Sequence, residues 1–264
     1  MTEAKPATAA RMYDYYLGGT HNFPADREAA EGMIAIYPQM LAVARANRAF
    51  LGRAVRFAAG QGVRQFLDIG SGIPTQGNVH EVADAVTDGA RVVYVDIDPV
   101  AVAESLDLLE GNPRATAIHG DLKDPQPILD HPQVQELIDF NQPVALLLAS
   151  VLHFVPDDFA FDAVARLVGT LPSGSLLAVS HGLSPEDLAT EAEEAAAKGV
   201  YQRQTATPLT LRSRAGVALF FEGLDVVDPG LVWLPMWRPE PTDPQDFADD
   251  PRGAAMLAGA GRKP

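Results

Sequence analysis

Between Arg64 and Ser180 the chain alternates short apolar runs with helix-compatible stretches, and no other feature constrains its fold as strongly. The runs are Arg64–Asp68, Arg91–Asp96, Ala115–Ile118, Pro143–Ala149 and Ser175–Ser180. Most are near-continuous hydrophobics, as strands covered on both faces should be. Asp98-Pro99 sets a capping residue before a proline at a first helical position, and Ser184-Pro185-Glu186-Asp187 repeats the device with acids in the first turn. Such alternation predicts an α/β fold, a doubly wound and mostly parallel sheet with right-handed crossovers. The tail reads as its extension. Thr210–Phe221, followed by Gly223, is expected to be a helix; Leu224–Asp228 and Leu231–Leu234 two strands about a Pro229-Gly230 turn; and Met256–Arg262 a final strand. Pro239–Asp250 is expected to be an exposed acidic loop.

Charge and composition narrow the partners. The 264 residues carry 20 Lys and Arg against 35 Asp and Glu, a net charge of −15. That surplus repels phosphate backbones, the cations form no local patch, and nucleic acid is not an expected partner. With no cysteine, disulfides, thiolate metal sites and thiol nucleophiles are excluded. No His-x3-His spacing supports a metal site either. The longest strongly apolar stretch, Val144–Leu152, is far shorter than the roughly 20 residues of a spanning helix. The first ten residues lack the charged-then-apolar layout of a signal peptide. These features predict a soluble cytoplasmic protein without a membrane partner. They give no oligomeric state.

The first strand ends in Asp68-Ile69-Gly70-Ser71-Gly72, a turn that lets backbone approach a ligand. Asp96 closes the second strand 26 residues beyond Gly70, where an acid can accept bonds from ribose hydroxyls. Asp121, with Leu122 beside it, follows the third strand and suits an adenine amino group. A pyrophosphate cofactor calls for a third glycine, where Thr75 stands, and Asp68 would repel the diphosphate. A ligand with ribose and adenine, no phosphate, and cationic ammonium and sulfonium groups suits the acids better. That describes S-adenosyl-L-methionine, with a nicotinamide cofactor as the runner-up.

These motifs resemble those of class I S-adenosylmethionine-dependent methyltransferases. Arg11–Phe23, Ala44–Phe50, Val151–Pro156 and Gly261–Pro264 further resemble one bacterial family of such enzymes, formerly of unknown function, from Arg11 to the end of the chain. The resemblance implies a seven-stranded Rossmann-like domain over 61–264, with an N-terminal helical lid over 1–60. It implies Gly70 and Gly72 beneath the cofactor, Asp68 near its methionine portion, Asp96 on the ribose and Asp121 on the adenine. The implied function is methyl transfer, here to an unidentified small-molecule acceptor; a regulatory protein that binds the cofactor without turnover is the competing reading.

Several residues keep two readings. Ile97 packs on an adenine face or in the core, and Asp98 reads as a helix cap. Arg48, three residues from Arg45 on one helix face, holds the methionine carboxylate or lies on a solvated face. The aromatic block 11–23, with Tyr13, Tyr16 and Phe23 around Gly18-Gly19, is a lid or an ordinary helical pair. Tyr13 is assigned to the cofactor, and Tyr16, His21 and His153 to the reacting end. His119, His153 and His181 are expected just beyond strand ends, and His153 is suited to take a proton from the acceptor.

Overall fold

The computed structural model describes residues 6–74, 77–184 and 209–264. Three helices come first: α1 (Ala9–Tyr16), α2 (Pro24–Ile36) and α3 (Met40–Gly60). The expected strands follow as β1 (Gln65–Ile69), β2 (Arg91–Asp96), β3 (Ala115–His119), β4 (Ala145–Ala149) and β5 (Leu176–Gly182). Between them lie α4 (Val79–Asp84), α5 (Pro99–Leu108), α6 (Gln126–Leu129), α7 (Pro132–Leu137) and α8 (Asp157–Thr170). Asp98 caps α5 as expected, its side chain accepting from the Val100 N–H at 2.9 Å. Residues 185–187 of the expected Ser184 helix lie outside the described residues.

The sheet order is β3-β2-β1-β4-β5-β8-β6, where β6 is Asp225–Val226 and β8 is Met256–Arg262. Strands β1 to β5 pair in parallel, and β8 runs antiparallel to β5. The order reverses between β1 and β4, and ligands of such sheets bind at that switch point. The sheet has eight strands, not seven, because its outer position is divided. Both β6 and β7 (Val232–Trp233) pair with β8, on the side away from β5.

Burial on both faces explains the near-continuous apolar runs. Phe66, Val92, Tyr94 and Leu147 face one core with Phe50, Leu51 and Val55 of α3. Their neighbours Leu67, Val93, Val95 and Leu146 face the other, with Ala160, Val164 and Leu167 of α8. Helix α3 is therefore part of the main core, whereas α1 and α2 share a small cluster of their own around Met12, Ala30 and Met33.

Two expectations in the tail are corrected. The helix expected at Thr210 is shorter: Ser213 is its cap, α9 is Arg214–Ala218, and Leu219–Phe221 is a 3₁₀ turn. Arg212 bridges to Leu183, and the Thr210 N–H bonds the His153 carbonyl at 2.8 Å, so 210–212 serve the sheet edge instead. The acidic loop is also packed. Arg45, Arg53 and Arg56 of α3 pair with Asp246, Asp243 and Glu240, and Phe247 is buried. Among the described residues no helix is long and apolar enough to cross a membrane.

Candidate active site

A cavity of about 1250 Å³ lies along the C-terminal ends of β1 to β5, with α1 and the α2–α3 junction among its walls. At the exit of β1, Gly70 has φ +73°, and a Cβ there would stand 2.3 Å from Val151 Cγ2. Only glycine lets the β1 and β4 loops approach this closely. Gly72, at φ +64°, donates its N–H to Asp96 Oδ2 at 2.8 Å. The other oxygen of Asp96 accepts the Asp98 N–H, also at 2.8 Å. Burial raises the Asp96 pKa, while these two backbone donors pull against it. The carboxylate is thus fixed in place with lone pairs to spare.

Beyond it, Ile97 is 57% exposed and lines the cavity, so its core-packing role is discarded. Asp121 is half-buried and accepts the Lys123 N–H at 2.9 Å, while Leu122 is buried behind it; both line the cavity. The structure brings these residues together with Asp68, Tyr13, Tyr16 and Arg48.

Asp68 is buried at the end of β1, and burial pushes its carboxyl up to about 7. Arg48 opposes that rise, and Asp96 adds to it. Arg48 itself has a buried Nε with no hydrogen-bond partner, whereas Arg45 is spent on Asp246. A desolvated guanidinium donor left open is costly unless a ligand supplies an acceptor. Tyr13 donates its hydroxyl to the Ala44 carbonyl at 3.0 Å and accepts from Asn47 Nδ2 at 3.0 Å. Burial raises its pKa, which keeps the phenol neutral.

Sequence reasoning missed the network behind Tyr13. Asn47 Oδ1 accepts the Ser180 hydroxyl at 2.6 Å, and Ser180 Oγ accepts the Ser150 N–H at 2.9 Å. Ser150 holds a left-handed φ of +57°, a strained conformation at the mouth of β4. One signal was available, since Asn47 stands inside the Ala44–Phe50 block. Also missed was a buried clip: Arg11 pairs with Asp26 at 2.9 Å and Asp98 at 2.8 Å. Thr8 adds a hydroxyl to Asp98 at 2.6 Å. The clip ties α1 and α2 to the loop that carries Asp96.

The histidines divide. His153 follows β4, lines the cavity, and has a buried Nδ1 with no partner. Burial holds its pKa well below the usual imidazole range, with His181 and Arg212 adding to the effect. His21 is placed elsewhere: it is half-exposed, 3.3 Å from Glu104, and not among the cavity's lining residues. His119 is the last residue of β3 rather than beyond it; it is exposed, with Nε2 3.2 Å from the Ile97 carbonyl. His181 lies within β5 and is fully buried. Arg212 can only donate to its Nε2 at 2.8 Å, so its Nδ1–H donates to the Gly182 carbonyl at 2.6 Å. Burial first, and then Arg212, push His181 down to about 4. Arg212 also bonds the carbonyls of Leu152 and Val155, fixing the turn that presents His153; no motif pointed to it.

Comparison with known proteins agrees with this geometry. The family model described as S-adenosyl methyltransferase matches residues 2–264. The crystal structure of a Thermobifida fusca YX protein is 38% identical, superposes with a TM-score of 0.88, and covers 98% of this chain and 95% of its own. A DUF574 family protein from Streptomyces avermitilis MA-4680 is 41% identical, with a TM-score of 0.84 and 98% of each chain covered. No curated protein matches the chain. An acid-lined crevice at the switch point of a doubly wound sheet, and a family match over nearly every residue, place the chain in the S-adenosyl methyltransferase family, as an enzyme that uses S-adenosyl-L-methionine.

Proposed function

We propose that the enzyme methylates a small molecule held in the same cavity as its cofactor. The unpartnered Nε of Arg48 beside buried Asp68 carries this reading. A guanidinium and a carboxylate side by side fit the carboxylate and ammonium of an amino-acid moiety. Asp96 takes the ribose hydroxyls, Asp121 the adenine amino group, and Ile97 with Leu122 the adenine face, while Gly72 leaves open space beneath the cofactor and Gly70 lets the β4 loop close in beside it. S-adenosyl-L-methionine, when bound, supplies an electrophilic methyl group, so the protein's task is proximity, alignment and exclusion of water.

The lid in this reading is α1 and α2, with Tyr13 and Tyr16 closing the cavity. Phe23 is exposed outside it, and His21 is not given a role in the reaction. The cytoplasmic location and bacterial source expected from the sequence are kept; relatives from Thermobifida and Streptomyces support the latter.

Calorimetry with S-adenosylhomocysteine tests the assignment. Asp96→Ala is expected to weaken binding at least about tenfold, and Arg48→Met by about 10- to 100-fold, the range for hydrogen bonds to charged groups. The Arg48→Met loss should vanish for an analogue without the carboxylate; an equal loss there would sink the Arg48 assignment.

A further inference from the structure

The sheet order sorts the cavity. Asp96, Asp121 and Asp68 stand over β2, β3 and β1, whereas the walls over β4, β5 and β8 include Phe154, Leu183, Leu211, Trp233 and Met256. Register confirms that these walls adjoin: Gly182 of β5 pairs with Met256 of β8, and a Cβ on Gly182 would meet Leu211 at 2.9 Å and His153 Nδ1 at 4.0 Å. Tyr37 donates to the Gly253 carbonyl at 2.8 Å, which brings the α2–α3 junction over the same end. At about 1250 Å³ the cavity exceeds the 300 to roughly 1,000 Å³ usual for one small ligand.

Resting on the methyltransferase reading, we infer that this half of the cavity takes a neutral, ring-bearing molecule that presents one hydroxyl to His153, and that the enzyme is an O-methyltransferase. Three observations support it. Among the described residues, the charged side chains lining this half are Asp250 and Arg252, which pair with each other at 3.1 Å. A charged acceptor therefore meets no free counter-charge there. Secondly, Met256 lines this half, and Met12, Met33 and Met40 line the same cavity from α1, α2 and α3. Their thioethers fit irregular apolar surfaces and make favourable contacts with ring edges.

Thirdly, the buried Nδ1 of His153, at the cavity wall, has no hydrogen-bond partner among the described residues. A neutral imidazole keeps one lone pair, and on Nδ1 that lone pair is left for a hydroxyl to donate to. As the acceptor oxygen bonds the methyl carbon, the carbon–sulfur bonding pair stays on sulfur. The hydroxyl proton passes to the His153 lone pair and leaves to water with the product. His181, locked by Arg212 and Gly182, holds its own tautomer and cannot compete for that proton.

Fluorescence titration of the full chain with four naphthalenes tests the class, with calorimetric binding of S-adenosylhomocysteine as the parallel measurement. Naphthol should bind at least about tenfold tighter than methoxynaphthalene, naphthoate or naphthylmethylammonium, the worth of one satisfied buried hydrogen bond and one avoided buried charge. His153→Leu should cut the preference over methoxynaphthalene to about twofold or less and leave S-adenosylhomocysteine binding intact. Equal or tighter binding of either charged compound, no binding of any of the four, or a naphthol preference that survives His153→Leu overturns the acceptor class. A variant that also loses S-adenosylhomocysteine makes His153 structural and overturns it too. Wild-type protein that fails to bind S-adenosylhomocysteine defeats the methyltransferase reading itself, which sets that failure apart.

Discussion

The two halves of the crevice solve opposite electrostatic problems. Over β1 to β3, Asp96 is buried and held by two backbone N–H groups and Asp68 is buried near Arg48, so acidic groups are built in where a cation is to bind. Over β4, β5 and β8, the titratable group left open among the described residues is a histidine whose charged form is suppressed by burial. Charge retained on one side and excluded on the other is how a single cavity separates a cationic cofactor from a neutral acceptor. The contrast also shows that an abundance of acid at the sequence level is not evenly shared by the site.

The largest effect that would break this comparison is expected at the clip. Arg11→Met strands two buried carboxylates, Asp26 and Asp98, and should destabilise the fold by about 3 to 5 kcal/mol. In denaturant titrations the midpoint should fall sharply, and added S-adenosylhomocysteine should recover part of it. Loss of stability without any change in cofactor affinity would separate the lid from the cofactor half.

A smaller effect should appear with pH. Asp68 must be ionised to meet an ammonium, so S-adenosylhomocysteine affinity should fall about tenfold per unit below a pH of about 7. Asp68→Asn should flatten that limb. In the free protein the sign reverses: a carboxyl raised from 3.8 to about 7 contributes stability that is full below its unfolded pKa and lost as pH rises through 7. The melting temperature of the cofactor-free protein should therefore drop across that window, and a rise there would contradict a buried neutral Asp68.

The smallest effect should come where the halves meet. Ser180→Ala removes the link from Asn47 and Tyr13 to Ser150, at a cost of about 1 kcal/mol. A chain of this size should then melt about 2 to 4 °C lower. Both S-adenosylhomocysteine and naphthol should bind somewhat more weakly; a loss confined to one of them would show that the network serves only that half.

Much of the scaffold was readable because its signals are local. Five apolar runs became five parallel strands since each is buried on both faces, and Asp98-Pro99 started α5 by chemistry contained in two residues. The cofactor acids were readable for the same reason: each stands where an apolar run stops. What escaped depends on partners far away in sequence. Asp243 and Glu240 read as solvent-facing acids until α3 supplies Arg53 and Arg56 across nearly 190 positions. Thr210 reads as the start of a helix, but the His153 carbonyl claims its N–H. His21 sits in an aromatic, glycine-rich block that suggested the reacting end, yet Glu104 of α5 draws it outside. Arg212, inside a run with no motif, gains meaning only once Leu152, Val155 and His181 surround it.

The divided outer position of the sheet has a consequence beyond the site. An uninterrupted edge strand offers a row of free amide and carbonyl groups on which another chain can grow. Here that position is filled by two segments of two residues each, separated by the Pro229-Gly230 turn, with exposed Asp225 in the first. A strand from a second molecule finds no continuous ladder and meets a negative charge. At this border the protein is built to stay out of fibrous aggregates.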